Sequence, residues 1–227
     1  MLSVIANLLS AEDLARCRRV LEASDWIDGK ATAGAQSARA KHNLQIPETA
    51  PAGKALGELI LARLGQNPAF LSAALPAKVF PPLFNRYDAG MTFGDHIDNA
   101  VRYGEAAGAR YRTDLSCTLF LSDPADYDGG ELVIETGFSE RSIKLAAGAM
   151  VVYPASSVHR VEPITRGSRW ASFFWVQSMI RDGARRALLH DLDQAIIAAR
   201  ADLDDTHRAV IGLTGAYHNL LRMWAEV

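Results

Sequence analysis

The sequence predicts an α+β protein: an antiparallel β sandwich or barrel with helices before and after it. Short runs rich in β-branched and aromatic residues crowd the middle of the chain, separated by Gly, Pro and Asp clusters. That spacing suits antiparallel strands and leaves little room for crossover helices. Helix-period apolar stripes with capping signals lie on either side. With 227 residues, 49% hydrophobic and 22% charged, the chain can bury a sizeable core.

Residues 1–77 read as a helical support region. Ser10 is placed to cap a helix, with Asp13 reaching back, Leu9 and Leu14 as a staple, and Leu14, Cys17, Val20 and Leu21 as its stripe. A second helix is predicted over 52–64, burying Leu56, Leu59, Ile60 and Leu64, with Gly65 past its end. A third covers 68–74. Residues 78–178 form the β zone, in the runs "KVFPPLFNRY", "DLSCTLFLS", "GELVIE", "RSIKL", "AMVVYP", "SVHRVEPI" and "RWASFFWVQS". "ADYDGG" (125–130) reads as a tight connection between two strands, and 99–114 as a polar lid or binding loop. Residues 179–227 are helical again. Leu188, Leu189, Leu192, Ile196 and Ala199 mark one helix. After an Asp-Asp-Thr cap, Val210, Ile211, Tyr217, Leu220, Leu221 and Trp224 mark the next. This antiparallel pair packs on the barrel or on another subunit, which makes it a candidate homodimer face.

A net charge of −2 with no long basic run disfavours a nucleic-acid partner. Cys17 and Cys117 are too few and too far apart for a disulfide framework or a Cys-rich zinc site. "MLSVIANLL" lacks a positive leader and a cleavage site, and no apolar run reaches membrane-spanning length, so a cytoplasmic protein is expected.

The chemistry concentrates around "GDHIDNA". His96 and Asp98 are two apart, so strand alternation points them to one face, where they can share an ion. Such a triplet arises readily by chance and needs a distant third donor. His159 in "PASSVHRVEPI" qualifies, since it opens a strand late in the β zone. His42 sits in an N-terminal loop, and His190, His207 and His218 lie on the C-terminal helices. Ten residues beyond His159 comes Arg169, whose same-face neighbours are Ala171, Phe173 and Trp175. A cation on an apolar face is costly unless it meets an anion, and a guanidinium fork suits a carboxylate. Two imidazoles and one carboxylate leave three positions of an octahedral ion open, the arrangement diagnostic of non-haem Fe(II) oxygenases. A zinc hydrolase fits poorly, because no general base accompanies the set.

With these residues in view, "NRYDAGMTFGDHID", "DYDGGELVIE", "VVYPASSVHRVEPITRGSRWASFFWVQS" and the helical tail resemble the bacterial PKHD-type hydroxylases, a prolyl-4-hydroxylase-like branch of the Fe(II)- and 2-oxoglutarate-dependent dioxygenases. The resemblance spans nearly the whole chain. It implies a double-stranded β-helix (jelly-roll) core, Fe(II) on His96, Asp98 and His159, and the distal carboxylate of 2-oxoglutarate on Arg169. Tyr87 matches a tyrosine that contacts the keto acid in prolyl hydroxylases. It also implies L-ascorbate dependence and, in some members, an association with bacterial iron uptake. Halogenating relatives lack the carboxylate ligand, so Asp98 points to hydroxylation. Some relatives carry Ser or Thr two residues after the arginine; Ala171 stands there, with Thr118 and Tyr153 as candidate substitutes. The expected substrate is a small molecule or peptide, and Arg110 and Arg112 in the 99–114 segment are the candidate residues for binding it. The competing readings are a non-catalytic metal or 2-oxoglutarate sensor on a cupin-like barrel and a nucleic-acid demethylase on the same core.

Overall fold

The computed structural model describes residues 1–32, 37–104, 108–137 and 139–226. The region expected to be purely helical also supplies strands. β1 (Ser3–Ile5) precedes α1 (Ala11–Glu22). Then come β2 (Ile27–Asp28), the short α2 (Ser37–Ala40), β3 (Lys41–His42) and β4 (Leu44–Gln45). α3 (Pro51–Gly65) and α4 (Pro68–Ala74) follow, with Gly65 inside the helix end and Leu59 only half-buried. The capping box at Ser10 and Asp13 forms as its spacing requires.

The β zone holds β5 (Pro76–Val79), β6 (Leu83–Asp88), β7 (Thr92–His96), β8 (Val101–Tyr103), β9 (Arg110–Arg112), β10 (Leu115–Phe120), β11 (Tyr127–Gly129), β12 (Leu132–Thr136), β13 (Ser139–Ile143), β14 (Met150–Pro154), β15 (His159–Val161) and β16 (Ile164–Ser178). Apart from the β8–β9 ribbon, they form two antiparallel sheets with the earlier strands. The larger runs β1-β14-β10-β16-β6-β4-β2, with β5 and β11 also paired to β16, and the smaller runs β13-β12-β15-β7-β3. Chain order alternating between two facing sheets is the jelly roll. Period-2 alternation gives each strand of the larger sheet two jobs. On β10, Leu115, Cys117 and Leu119 face the layer of α1, α3 and α4 and pack with Leu21, Leu56, Ile60 and Phe70. Phe120 points into the barrel with Tyr87, Val151, Tyr153 and Ile164.

Three expectations change. "ADYDGG" is no simple hairpin turn: it contains β11, which pairs with β16. Its second glycine is forced, because Gly130 sits at φ +68° and a Cβ there would meet Ile164 Cδ1 at 2.2 Å and Arg169 Cδ at 3.1 Å. The 99–114 segment, expected as a polar lid or binding loop, is partly regular structure. It carries a two-stranded ribbon of β8 and β9, and residues 105–107 of it lie outside the described residues. The last region forms α5 (Gly183–Asp202) and α6 (Arg208–Trp224), with His207 rather than the Asp-Asp-Thr run capping α6. This pair packs on α4 and on the segment that follows β16, through Leu75, Ile180 and Leu189 with Tyr217, Leu221 and Trp224. Leu188 and Ile211, expected on buried faces, are exposed. Among the described residues no helix is long and apolar enough to cross a membrane.

Candidate metal centre

His96 ends β7 and His159 opens β15, and the two are register partners across the smaller sheet. Directly opposed residues bring their side chains together, so these ring centroids are 4.1 Å apart. His96 Nδ1 donates to Gly94 O at 2.8 Å and His159 Nδ1 donates to Ser157 O at 3.0 Å. A carbonyl only accepts, so each Nδ1 carries the proton and each Nε2 keeps its lone pair, the tautomer a metal needs. Burial, then the neighbouring His159, pulls His96 down to about 4. It is therefore neutral at ordinary pH, the form in which an imidazole can donate to a metal.

Asp98 reaches the same spot by a different route from the one its spacing suggests. β7 stops at His96, so strand alternation does not aim the carboxylate. The Ser116 hydroxyl on β10 donates to its Oδ2, across from the smaller sheet. His159 Nε2 lies 3.7 Å from Asp98 Oδ2, and one donor atom from each of His96, Asp98 and His159 lies within 4.8 Å of the others. Donors held about 2.1 Å from one ion are roughly 3–4 Å apart, so the trio fits a single cation after small side-chain adjustments.

Arg169, 1% exposed, lies deeper in the cavity that the trio lines. It is the β16 partner of Tyr87, and its guanidinium sits 5.1 Å from the Phe120 ring and 5.5 Å from the Tyr87 ring. Among the described residues none of its three nitrogens makes a well-formed hydrogen bond, and the Tyr127 hydroxyl lies near enough to feel its charge. A buried cation without a partner costs several kcal/mol, a cost that an anion entering the cavity could offset. Burial pushes the Tyr87 phenol up to about 12 and lifts Tyr153 well above the usual range, so both stay protonated donors. Thr118 and Tyr153 line the cavity. So does Asn85, the strand partner of Ala171, whose Oδ1 is buried without a partner.

Arg110 and Arg112 do not line this cavity. Arg112 is committed to Asp114, Ser178 O and Glu226, and exposed Arg110 lies over the Tyr103 ring. The arginine of this segment that does line it is Arg102. Sequence reasoning counted Arg102 among the arginines of this segment without selecting it, and missed Lys41, Asn85 and Ser116. Only Ser116 left a readable signal: Ser116 and Thr118 alternate with Leu115, Cys117 and Leu119, which marks a polar inner face on an apolar strand.

A jelly roll with two histidines and a carboxylate at its mouth and a buried guanidinium behind them defines a class, the non-haem iron oxygenases that use a 2-oxoacid. Residues 82–177 match the 2OG-Fe(II) oxygenase superfamily, and residues 182–226 match the PKHD-type hydroxylase C-terminal domain. The chain is 60% identical over 227 residues to a PKHD-type hydroxylase of Methylobacterium nodulans and 57% identical to one of Gluconobacter oxydans, with all of each chain covered. It therefore belongs to the PKHD-type hydroxylase family, enzymes of the oxidoreductase class. Among solved structures it resembles a Pseudomonas putida prolyl-4-hydroxylase, with TM-score 0.51, 23% identity and coverage of 78% and 92% of the two chains. It also resembles a Trichoplax adhaerens prolyl hydroxylase in complex with a hypoxia inducible factor peptide, with TM-score 0.53, 14% identity and coverage of 82% and 86%. At these identities the likeness is one of fold.

Proposed function

We propose that His96, Asp98 and His159 hold Fe(II) and that Arg169, with Tyr87 beside it, holds the distal carboxylate of 2-oxoglutarate. The enzyme would then hydroxylate a C–H bond of a small molecule or peptide side chain. The observation that carries this reading is Arg169: a buried guanidinium with no ion-pair partner among the described residues, behind three converging metal donors. Bound there, iron and 2-oxoglutarate supply oxidative decarboxylation to succinate and CO2, coupled to hydroxylation.

The chain's own residues supply placement. Gly94 O and Ser157 O fix the two imidazole tautomers, and Ser116 steadies the carboxylate. Phe93, stacked on His96 at 3.6 Å, and the Phe173 and Trp175 walls keep water off the centre. L-Ascorbate, as a reductant that keeps the iron ferrous, completes the proposed requirements.

Anaerobic addition of Fe(II) and 2-oxoglutarate should produce a visible metal-to-ligand absorption band, and admitting oxygen should then yield succinate. His159→Ala should abolish both. A band in wild type with no succinate under any oxygen or ascorbate condition would instead identify a sensor.

A further inference from the structure

The larger sheet delivers its inward side chains in rungs, and one rung holds a polar residue that the chemistry assigned so far leaves unused. On β16 the inward series is Trp175, Phe173, Ala171 and Arg169, two residues apart. Trp175 is the register partner of Ser116, whose hydroxyl donates to Asp98, so this end of the series lies at the metal trio. Arg169 lies at the other end, opposite Tyr87. Between them, Ala171 stands opposite Phe120 on β10 and opposite Asn85 on β6. The Arg169 guanidinium sits 5.1 Å from the Phe120 ring, in the neighbouring rung, so the side chain leans toward the metal past the small methyl of Ala171. Asn85 flanks that path from the other side.

Asn85 is 8% exposed and lines the cavity, and its Oδ1 is buried with no hydrogen-bond partner. Packing alone does not call for an amide there, because a buried polar atom left unpaired costs stability that an apolar side chain of the same size would not. A side-chain amide turns over about its last bond, so its two N–H donors can take the place of its carbonyl. A carboxylate offers about four lone-pair positions, and a guanidinium fork occupies two of them. An anion held by Arg169 therefore keeps acceptor positions open, at the rung where Asn85 stands.

Building on the hydroxylase reading, we propose that Asn85 is a second binding residue for the distal carboxylate of 2-oxoglutarate, donating through Nδ2 beside the Arg169 fork. One anion then satisfies both the guanidinium and the amide. The candidates read from the sequence stand nearer the metal. Thr118 is opposite Phe173, Tyr153 is opposite Ser116, and their hydroxyls hydrogen-bond each other.

The test uses the full chain loaded anaerobically with Fe(II). It is titrated with 2-oxoglutarate and with 2-oxopentanoate, which keeps the chelating end and the chain length but lacks the distal carboxylate. Dissociation constants are read from the metal-to-ligand band. Asn85→Leu should weaken 2-oxoglutarate about tenfold, the loss expected for one hydrogen bond to a charged group, and leave 2-oxopentanoate within about twofold. Asn85→Asp should melt higher than wild type without ligand, since its carboxylate meets the Arg169 guanidinium, and should lose at least about tenfold in 2-oxoglutarate affinity. This second variant keeps the proposal decidable if Asn85→Leu does not fold. Equal weakening of both keto acids in Asn85→Leu makes the residue structural and overturns the proposal. Unchanged 2-oxoglutarate affinity does the same, as does a selective loss in Thr118→Val instead. So does an Asn85→Asp protein that melts lower than wild type and keeps its 2-oxoglutarate affinity. A wild type that gives no band, or that binds the two keto acids equally, sinks the iron and Arg169 assignments themselves, an outcome distinct from all of these.

Discussion

Arg169 illustrates a residue that stability alone would not select. Its guanidinium is buried against two aromatic rings and has no ion-pair partner among the described residues, so in the absence of an anion it works against folding. Arg169→Met should therefore raise the Tm of the unliganded protein, or leave it unchanged, by relieving about 1–3 kcal/mol. The same variant should lose the Tm increase that 2-oxoglutarate gives wild type. A variant several degrees less stable without ligand would show that the arginine is structural. At this scale the sequence was legible where a residue stands on a long, well-patterned strand. Arg169 shares its face with Ala171, Phe173 and Trp175, and burial follows from that alternation. Asp98 was found through a spacing whose geometry does not hold, because its carboxylate is placed by Ser116 from another strand. Lys41 could not be found: its strand is two residues long and has no period to read.

Elements with local signals could be read directly, whereas those that depend on distant pairing could not. α1 and α4 have caps in their own sequence, Ser10 with Asp13 and Asn67, and they form where those signals lie. β1 to β4 are two or three residues each, and their existence rests on pairing with β14, β6 and β7, far along the chain. At the start of α1, Asp13 also joins two elements, since Arg63 of α3 donates to it at 2.8 and 2.9 Å. The Arg63 guanidinium first, then the Ser10 backbone N–H, hold Asp13 at about 2 against an ordinary 3.8, with burial opposing. A depressed folded-state pKa means stability that is fully present above pH 3.8 and lost as pH falls toward 2. Urea midpoints of wild type and Asp13→Asn should differ at pH 6, with a cap and ion-pair loss of about 1–2 kcal/mol. That gap should shrink steadily between pH 4 and pH 2. A gap independent of pH would mean that the carboxylate's charge contributes nothing.

Across the whole molecule, the sequence left open what the C-terminal helix pair packs against, because an apolar stripe specifies burial but not a partner. The structure seats the pair on α4 and uses its tail to tie the molecule together. Arg112 of the β8–β9 ribbon donates to Asp114 at 2.7 Å, to Ser178 O at 3.0 Å and to Glu226 at 3.0 Å, while Ser178 N donates to Asp114 at 2.9 Å. One guanidinium thus joins the ribbon, the end of β16 and the C-terminal segment. Arg102 stands on that same ribbon, in register with Tyr111, at the cavity mouth. Packing far from the proposed metal site is thereby coupled to the position of a residue that lines the same cavity. Arg112→Met takes from Asp114, whose side chain is only 8% exposed, its hydrogen-bonded cation. Such a loss costs about 3 kcal/mol, or roughly 6–12 °C in Tm for a chain of this size. If the arginine is this strut, amide exchange should accelerate in β8, β9 and the 178–180 segment together, while 2-oxoglutarate affinity changes by less than about twofold because Arg169 lies outside the network. Faster exchange confined to β9 would reduce Arg112 to a local contact, and a large loss of 2-oxoglutarate affinity would return it to the cavity where the sequence had placed it.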